Sequence, residues 1–194
     1  MKTSGGLAGR KTVRGRQSGI TLIEVLISMM VLTIGLVGML GVLGIAVKST
    51  QASQENSVAK LVADEALESI LTARETANIP WSSIANVGSG GIFLSGYMQC
   101  YNAGADGIYG TADDAASGEQ TLRLPGPDGI FGTADDKFLQ LTNYQRQIVL
   151  TPDASCGGAP GCNLMDVTIT VQFYTANFQV PQTYTVSSYI SEYR

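Results

Sequence analysis

From Val25 to Val47 the chain runs 23 residues without a charge, mixing branched aliphatics and methionines with four glycines. As a helix rising ~1.5 Å per residue this stretch is about 35 Å long, enough to cross a bilayer. From Lys48 the pattern changes. Val58, Leu61 and Val62, then Ala66, Ile70 and Leu71, recur at three- and four-residue spacing, while Glu55, Lys60, Asp64, Glu65, Glu68 and Glu75 mostly fill the other faces. The spacing predicts one helix, apolar over 20–47 and amphipathic over 48–79. Pro80 stops it by disfavouring helical geometry at Ile79. Such a helix is far longer than globular helices run, so its first half needs lipid or other helices around it and its second half needs a head domain.

Residues 80–194 are long enough for that head. Strand patterns dominate it: Ile92–Tyr101, a stretch within Phe138–Thr151 ending in Gln147-Ile148-Val149-Leu150, the alternating Val167–Phe173, and Thr183–Ile190. No periodic helix intervenes after Pro80, so neighbouring strands should pair antiparallel. With the long helix over one face of the sheet, the expected class is α+β.

Charge divides the chain. The first nineteen residues carry Lys2, Arg10, Lys11, Arg14 and Arg16 and no acid, while the remainder holds seven bases against sixteen acids. A basic leader before an apolar span keeps the amino terminus cytoplasmic and sends the rest across. An acidic remainder argues against nucleic-acid binding, which needs a basic face. No histidine occurs, which removes Ser-His-Asp and Cys-His catalysis and most zinc or haem sites. One acid, Glu24, lies at the entry to the apolar run. An acid there is unfavourable and calls for a partner.

The order of basic leader, Ser18-Gly19, Ile20-Thr21-Leu22-Ile23-Glu24 and a long apolar helix resembles the prepilin signal of type IV pilin-like proteins. The resemblance implies the pilin fold, with one long amino-terminal helix packed on an antiparallel head. It also implies cleavage between Gly19 and Ile20 by prepilin peptidase and methylation of the new Ile20 amine, although the family most often has Phe after the cut. Glu24 would then meet the amine of a neighbouring subunit during filament assembly. An ordinary secretory signal would have a shorter apolar core, and a plain single-pass anchor would leave Glu24 unexplained. The implied route begins as a single pass in the inner membrane, with the carboxyl-terminal part periplasmic. It continues through the pilus assembly platform to a filament of other pilins at the cell surface. The run Ile34–Leu40 and a closing strand pair joined near Ala176–Pro181 resemble the V-type minor pilins ("type IV pilus modification" proteins) and minor pseudopilins. Gly35, Gly38, Gly41 and Gly44 could serve local melting of the helix or close helix packing.

An internal repeat lies within the head's loops 104–136. Asp106-Gly-Ile-Tyr-Gly-Thr-Ala-Asp113-Asp114 returns 22 residues later as Asp128-Gly-Ile-Phe-Gly-Thr-Ala-Asp135-Asp136. Like charges crowded into glycine-rich loops repel unless water or a cation offsets them. Calcium suits them, because it takes six to eight oxygens and glycines permit the tight turn that aims them. The expected ligands are Asp106, Asp113 and Asp114 in one loop and Asp128, Asp135 and Asp136 in the other, with Thr111 and Thr133 as extra oxygens. The loops resemble aspartate-rich loops of calcium-binding secreted proteins.

The three cysteines are Cys100, Cys156 and Cys162. Thiols beyond the membrane tend to pair. Pilins often staple their carboxyl-terminal region, which supports Cys156 with Cys162 across Gly-Gly-Ala-Pro-Gly, a closure contributing roughly 2–2.5 kcal/mol. The spacing alone leaves Cys100 with either of them open.

Two function classes meet these residues. One is a structural subunit, a minor pilin of a type IV pilus or a minor pseudopilin of type II secretion. The other is a membrane-anchored periplasmic enzyme using aspartate pairs as acid and base. Carboxylates repeated within polar loops suit cation binding better than a pocket that splits their pKa values. The expectation is a structural subunit and not an enzyme.

Overall fold

A computed structural model of the chain describes residues 19–153, 163–175 and 180–193. The chain divides into two compact units, one ending at Lys48 and one beginning at Ser49. Helix α1 is Leu22–Glu75, 54 residues. Its start is set by Thr21, whose carbonyl accepts the Glu24 amide at 3.0 Å and the Val25 amide at 3.3 Å. Glu24 lies in the first turn, where the helix dipole favours an anion. The run from Gly35 to Gly44 is helical throughout, and a Cβ at any of its four glycines would meet nothing within 4 Å. Every residue from Gly19 to Lys48 is exposed, so nothing within that unit covers its apolar surface.

The helix ends at Glu75, four residues before the predicted end at Ile79. Ala77 adopts a left-handed φ of 57°. The Ala77 amide bonds to the Arg74 carbonyl at 3.2 Å and the Asn78 amide to the Ala73 carbonyl at 3.1 Å. This paired arrangement at a helix terminus satisfies its last carbonyls. Pro80 lies just beyond, as expected.

In the second unit the helix buries Ala59, Val62, Ala63, Ala66, Ile70 and Ala73 in the core. The buried face is thus richer in alanine than predicted, and Leu61, expected inside, is 52% exposed. Ala66 is fully buried where the helix joins this core. Ala66→Leu should therefore overpack this contact and destabilise by about 1–3 kcal/mol. Thermal unfolding of the full chain in detergent would read this as a lowered Tm, whereas an unchanged Tm would mean the contact has slack.

Against α1 lies a four-stranded sheet in the order β1-β4-β5-β6, antiparallel throughout. Its strands are β1 (Met98–Gln99), β4 (Tyr144–Pro152), β5 (Leu164–Phe173) and β6 (Gln182–Ser191). Register places Ile148 opposite Ile169 and Ile169 opposite Val186. Alternation works as predicted for β5: Val167, Ile169, Val171 and Phe173 are buried. Tyr144 stacks on Phe173 with centroids 5.5 Å apart.

Two strand predictions change. The stretch within Phe138–Thr151 is split, because β3 (Lys137–Gln140) leaves the main sheet to pair with β2 (Thr121–Leu124) as a separate hairpin. Tight closure at Leu141–Tyr144 (amide to carbonyl, 3.0 Å) divides β3 from β4. Ile92–Tyr101 shrinks to the two residues of β1. Gly96 turns the chain at φ 87°, and Leu94 bonds instead to the Gly110 carbonyl at 2.8 Å. Asn86 substitutes for the missing strand: its side chain donates to the Ile148 carbonyl (2.8 Å) and accepts from the Leu150 amide (2.9 Å).

Candidate functional site

The amino-terminal site is simple in geometry. Gly19 and Ile20 precede the helix in non-helical backbone, and Ile20 is 75% exposed. Nothing lies within 4 Å of a Cβ placed on Gly19. Glu24 is exposed one turn in, and its carbonyl accepts the Ser28 hydroxyl at 2.7 Å. The bond from Gly19 to Ile20, the Ile20 amine it would release and the Glu24 carboxylate therefore share the first turn of one apolar helix.

The two repeat loops share most of their hydrogen bonds. The Ile108 amide donates to Asp106 Oδ1 and the Ile130 amide to Asp128 Oδ1, both at 2.9 Å. Gly110 donates to Asp114 Oδ2 at 2.6 Å and Gly132 to Asp136 Oδ2 at 2.7 Å. Thr111 donates to Asp113 Oδ1 at 2.7 Å and Thr133 to Asp135 Oδ1 at 2.6 Å. A Cβ on Gly104 would lie 2.1 Å from Asp113 Oδ2, and one on Gly126 would lie 2.2 Å from Asp135 Oδ2. Only glycine lets the backbone come that close. The hydroxyl bonds hold Asp113 and Asp135 below the usual carboxylate range. Burial pushes Asp114 above it.

The surroundings of the loops differ. In the first, carboxylate oxygens of Asp106, Asp113 and Asp114 lie within 4.8 Å of one another. No second such triad occurs among the described residues. In the second, Asp136 accepts from Arg123 Nε. Asp136 is held low by the Gly132 amide first and by Arg123 after it. The first loop thus offers three converging carboxylates and a threonine oxygen, a hard-oxygen set of the type calcium takes. Its amides already shape it, and lone pairs remain for a cation.

Residues 14–40 match the family model described as the prokaryotic N-terminal methylation motif. Together with the long apolar helix, this match supports a type IV pilin-like protein. No curated protein and no solved structure matches it. The family is one of structural subunits rather than enzymes, and the apolar helix accords with membrane anchoring. The match covers Gly19, Ile20, Glu24 and most of the apolar span.

Sequence reasoning missed a buried polar centre in the head. Glu65 on α1 accepts from the Tyr109 hydroxyl at 2.8 Å and from Gln120 Nε2 at 2.6 Å. Arg146 of β4, 4% exposed, lies over the Tyr109 ring, 4.6 Å from its centroid. Burial, then the Glu65 bond, pushes Tyr109 up to about 12. The signal was there: Arg146 has the parity of Tyr144, Ile148 and Leu150, the core-facing residues of β4. Cys156 and Cys162 lie outside the described residues. Cys100 is fully buried, and burial pushes its thiol up to about 11, so it packs as an inert apolar group.

Proposed function

We propose that this chain is a structural subunit of a type IV pilus, of the minor class, made as a prepilin. Prepilin peptidase cuts between Gly19 and Ile20 and methylates the Ile20 amine, and the subunit then joins other pilins through α1. The observation that carries the reading is the methylation motif at 14–40 running directly into an uninterrupted, uncovered apolar helix. The amine and Glu24 then enter an apolar environment together. An unpaired charge there is strongly unfavourable, while a matched pair is tolerated and fixes register. The amine of one subunit against Glu24 of the next meets that requirement. Minor pseudopilin of a type II secretion system is the runner-up, since both systems share this helix.

Intact-mass analysis of the membrane-extracted protein tests the reading. The expected amino terminus is Ile20, one methyl heavier than the unmodified residue, and the chain should also occur in sheared surface filaments. Intact Met1 in cells with working prepilin peptidase would overturn it.

We also propose that the first repeat loop holds calcium through Asp106, Asp113 and Asp114, with Thr111 as a further oxygen. The convergence of the three carboxylates supports this. The second loop, with Asp136 given to Arg123, lacks that convergence.

A further inference from the structure

The internal repeat supplies its own comparison. In the first copy Ile108 is 1% exposed and Tyr109 is half-buried, fixed to α1 by its amide on Ser69 Oγ (3.3 Å) and its hydroxyl on Glu65. In the second copy the corresponding Ile130 and Phe131 are 60% and 65% exposed. The backbones agree, since Gly107 and Gly129 have φ 71° and 69° and Gly110 and Gly132 have φ 90° and 95°. A rigid turn therefore carries an isoleucine and an aromatic ring outward, where its twin uses the same pair to dock on a helix. The tip is fixed rather than loose: Arg123 reaches Asp136 and also lies over the Phe138 ring, tying the turn to the β2–β3 hairpin.

A groove of matching character lies elsewhere on the head. Val58 and Leu61 of α1, Leu124 and Leu139 of the hairpin, and Tyr144 and Tyr174 line an open space of about 780 Å³. Leu61 is the helix residue that alternation placed inside and the fold leaves out. Glu55 also lines the groove, its carboxylate accepting from the Thr175 hydroxyl, and two lysines flank it. Lys60 precedes Leu61, and Lys137 lies opposite Leu124 on the face of the hairpin that carries Leu139. Both are exposed, and neither makes an ion pair among the described residues. The tip carries the opposite charge, with Asp128 and Asp135 exposed on either side of Ile130 and Phe131.

We propose that the Ile130–Phe131 tip of one copy seats in this groove of a second copy, with Asp128 and Asp135 facing Lys60 and Lys137. Tip and groove are different surfaces, so the contact is heterologous and each joined copy leaves one tip and one groove free. Such contacts propagate beyond a dimer, into rings where the rotation closes and into rows where it does not. Copies of this subunit would then run together along a filament instead of standing singly. The proposal rests on the filament reading for the place where copies meet, and it adds the surface by which they recognise each other.

Cysteine trapping in the full-length chain tests it. Phe131→Cys with Leu61→Cys, mildly oxidised in sheared filaments and in membranes, should give a ladder of dimer, trimer and higher species above the wild-type pattern. Each single variant should add dimers at most, because one new thiol cannot extend a chain. Adding Lys60→Glu should weaken the ladder, and adding Asp128→Lys on top should restore it. Filaments that contain the chain but show no ladder would overturn the docking and leave the filament reading standing. A ladder in membranes from a chain never found in filaments would support the docking and defeat that reading. No ladder in either fraction, or Phe131→Cys trapped on a different pilin, would overturn the second copy as occupant.

Discussion

Glu24→Ala should leave the chain in the membrane and remove it from filaments. Insertion should be unchanged or improved, because an acid leaves the entry of an apolar span. Assembly should suffer, because the Ile20 amine of the neighbouring subunit would enter the filament core without a counter-charge. Breaking one side of a buried pair typically costs about 3–5 kcal/mol, roughly two to four orders of magnitude in the incorporation equilibrium. Glu24→Gln should fail similarly, since it keeps the size and loses the charge. The measurement is the amount of chain in sheared filaments relative to the membrane pool. Wild-type incorporation of Glu24→Ala would remove the pairing role. Loss of the chain from the membrane would instead mean that the variant misfolds, and the glutamine variant separates the two outcomes.

What could be read from sequence was what repeats. The apolar run, its amphipathic continuation and the alternation of β5 each place side chains by period, and the fold follows them except at Leu61, which stays outside. The helix terminus was displaced because Ala77 takes a left-handed conformation that sequence favours only for glycine, at roughly 1–2 kcal/mol. The β2–β3 hairpin stayed hidden because Leu139 and Ile148 fall within the single stretch Phe138–Thr151 read as strand, and only the tight closure at Leu141–Tyr144 assigns them to different sheets. The repeat loops were legible as a pair from their recurring residues, and their shared hydrogen bonds appear only in the structure. Their different fates were not, because nine nearly identical residues meet different neighbours. One local difference marks the division: Tyr109 has a hydroxyl for Glu65, and Phe131 has none.

Calcium should raise the melting temperature of the full-length chain in detergent, and the rise should depend on the first loop alone. Binding to the folded state stabilises by RT ln(1 + [L]/Kd), about 2.7 kcal/mol at a hundredfold excess over Kd. For a chain of this length that corresponds to roughly 5–10 °C. Extracellular calcium modules are often weak, near ~10⁻⁴–10⁻³ M, so the titration must reach millimolar concentrations. Magnesium should do less, because its octahedral demand at short distances suits a glycine-turned loop poorly. Asp106→Asn should abolish most of the rise while changing little in chelator, since its side-chain oxygen can still accept from the Ile108 amide. Asp128→Asn should leave the rise intact, because Arg123 already serves Asp136 as an internal cation. Protons compete for the same oxygens. Burial holds Asp114 above the usual carboxylate range while Asp113 is held below it, so Asp114 takes up a proton earlier than Asp113 as pH falls, and the calcium rise should shrink on acidification before Asp113 titrates. Equal losses from Asp106→Asn and Asp128→Asn would put cations in both loops, and no rise at millimolar calcium would leave the first loop as an acidic turn held by its own amides.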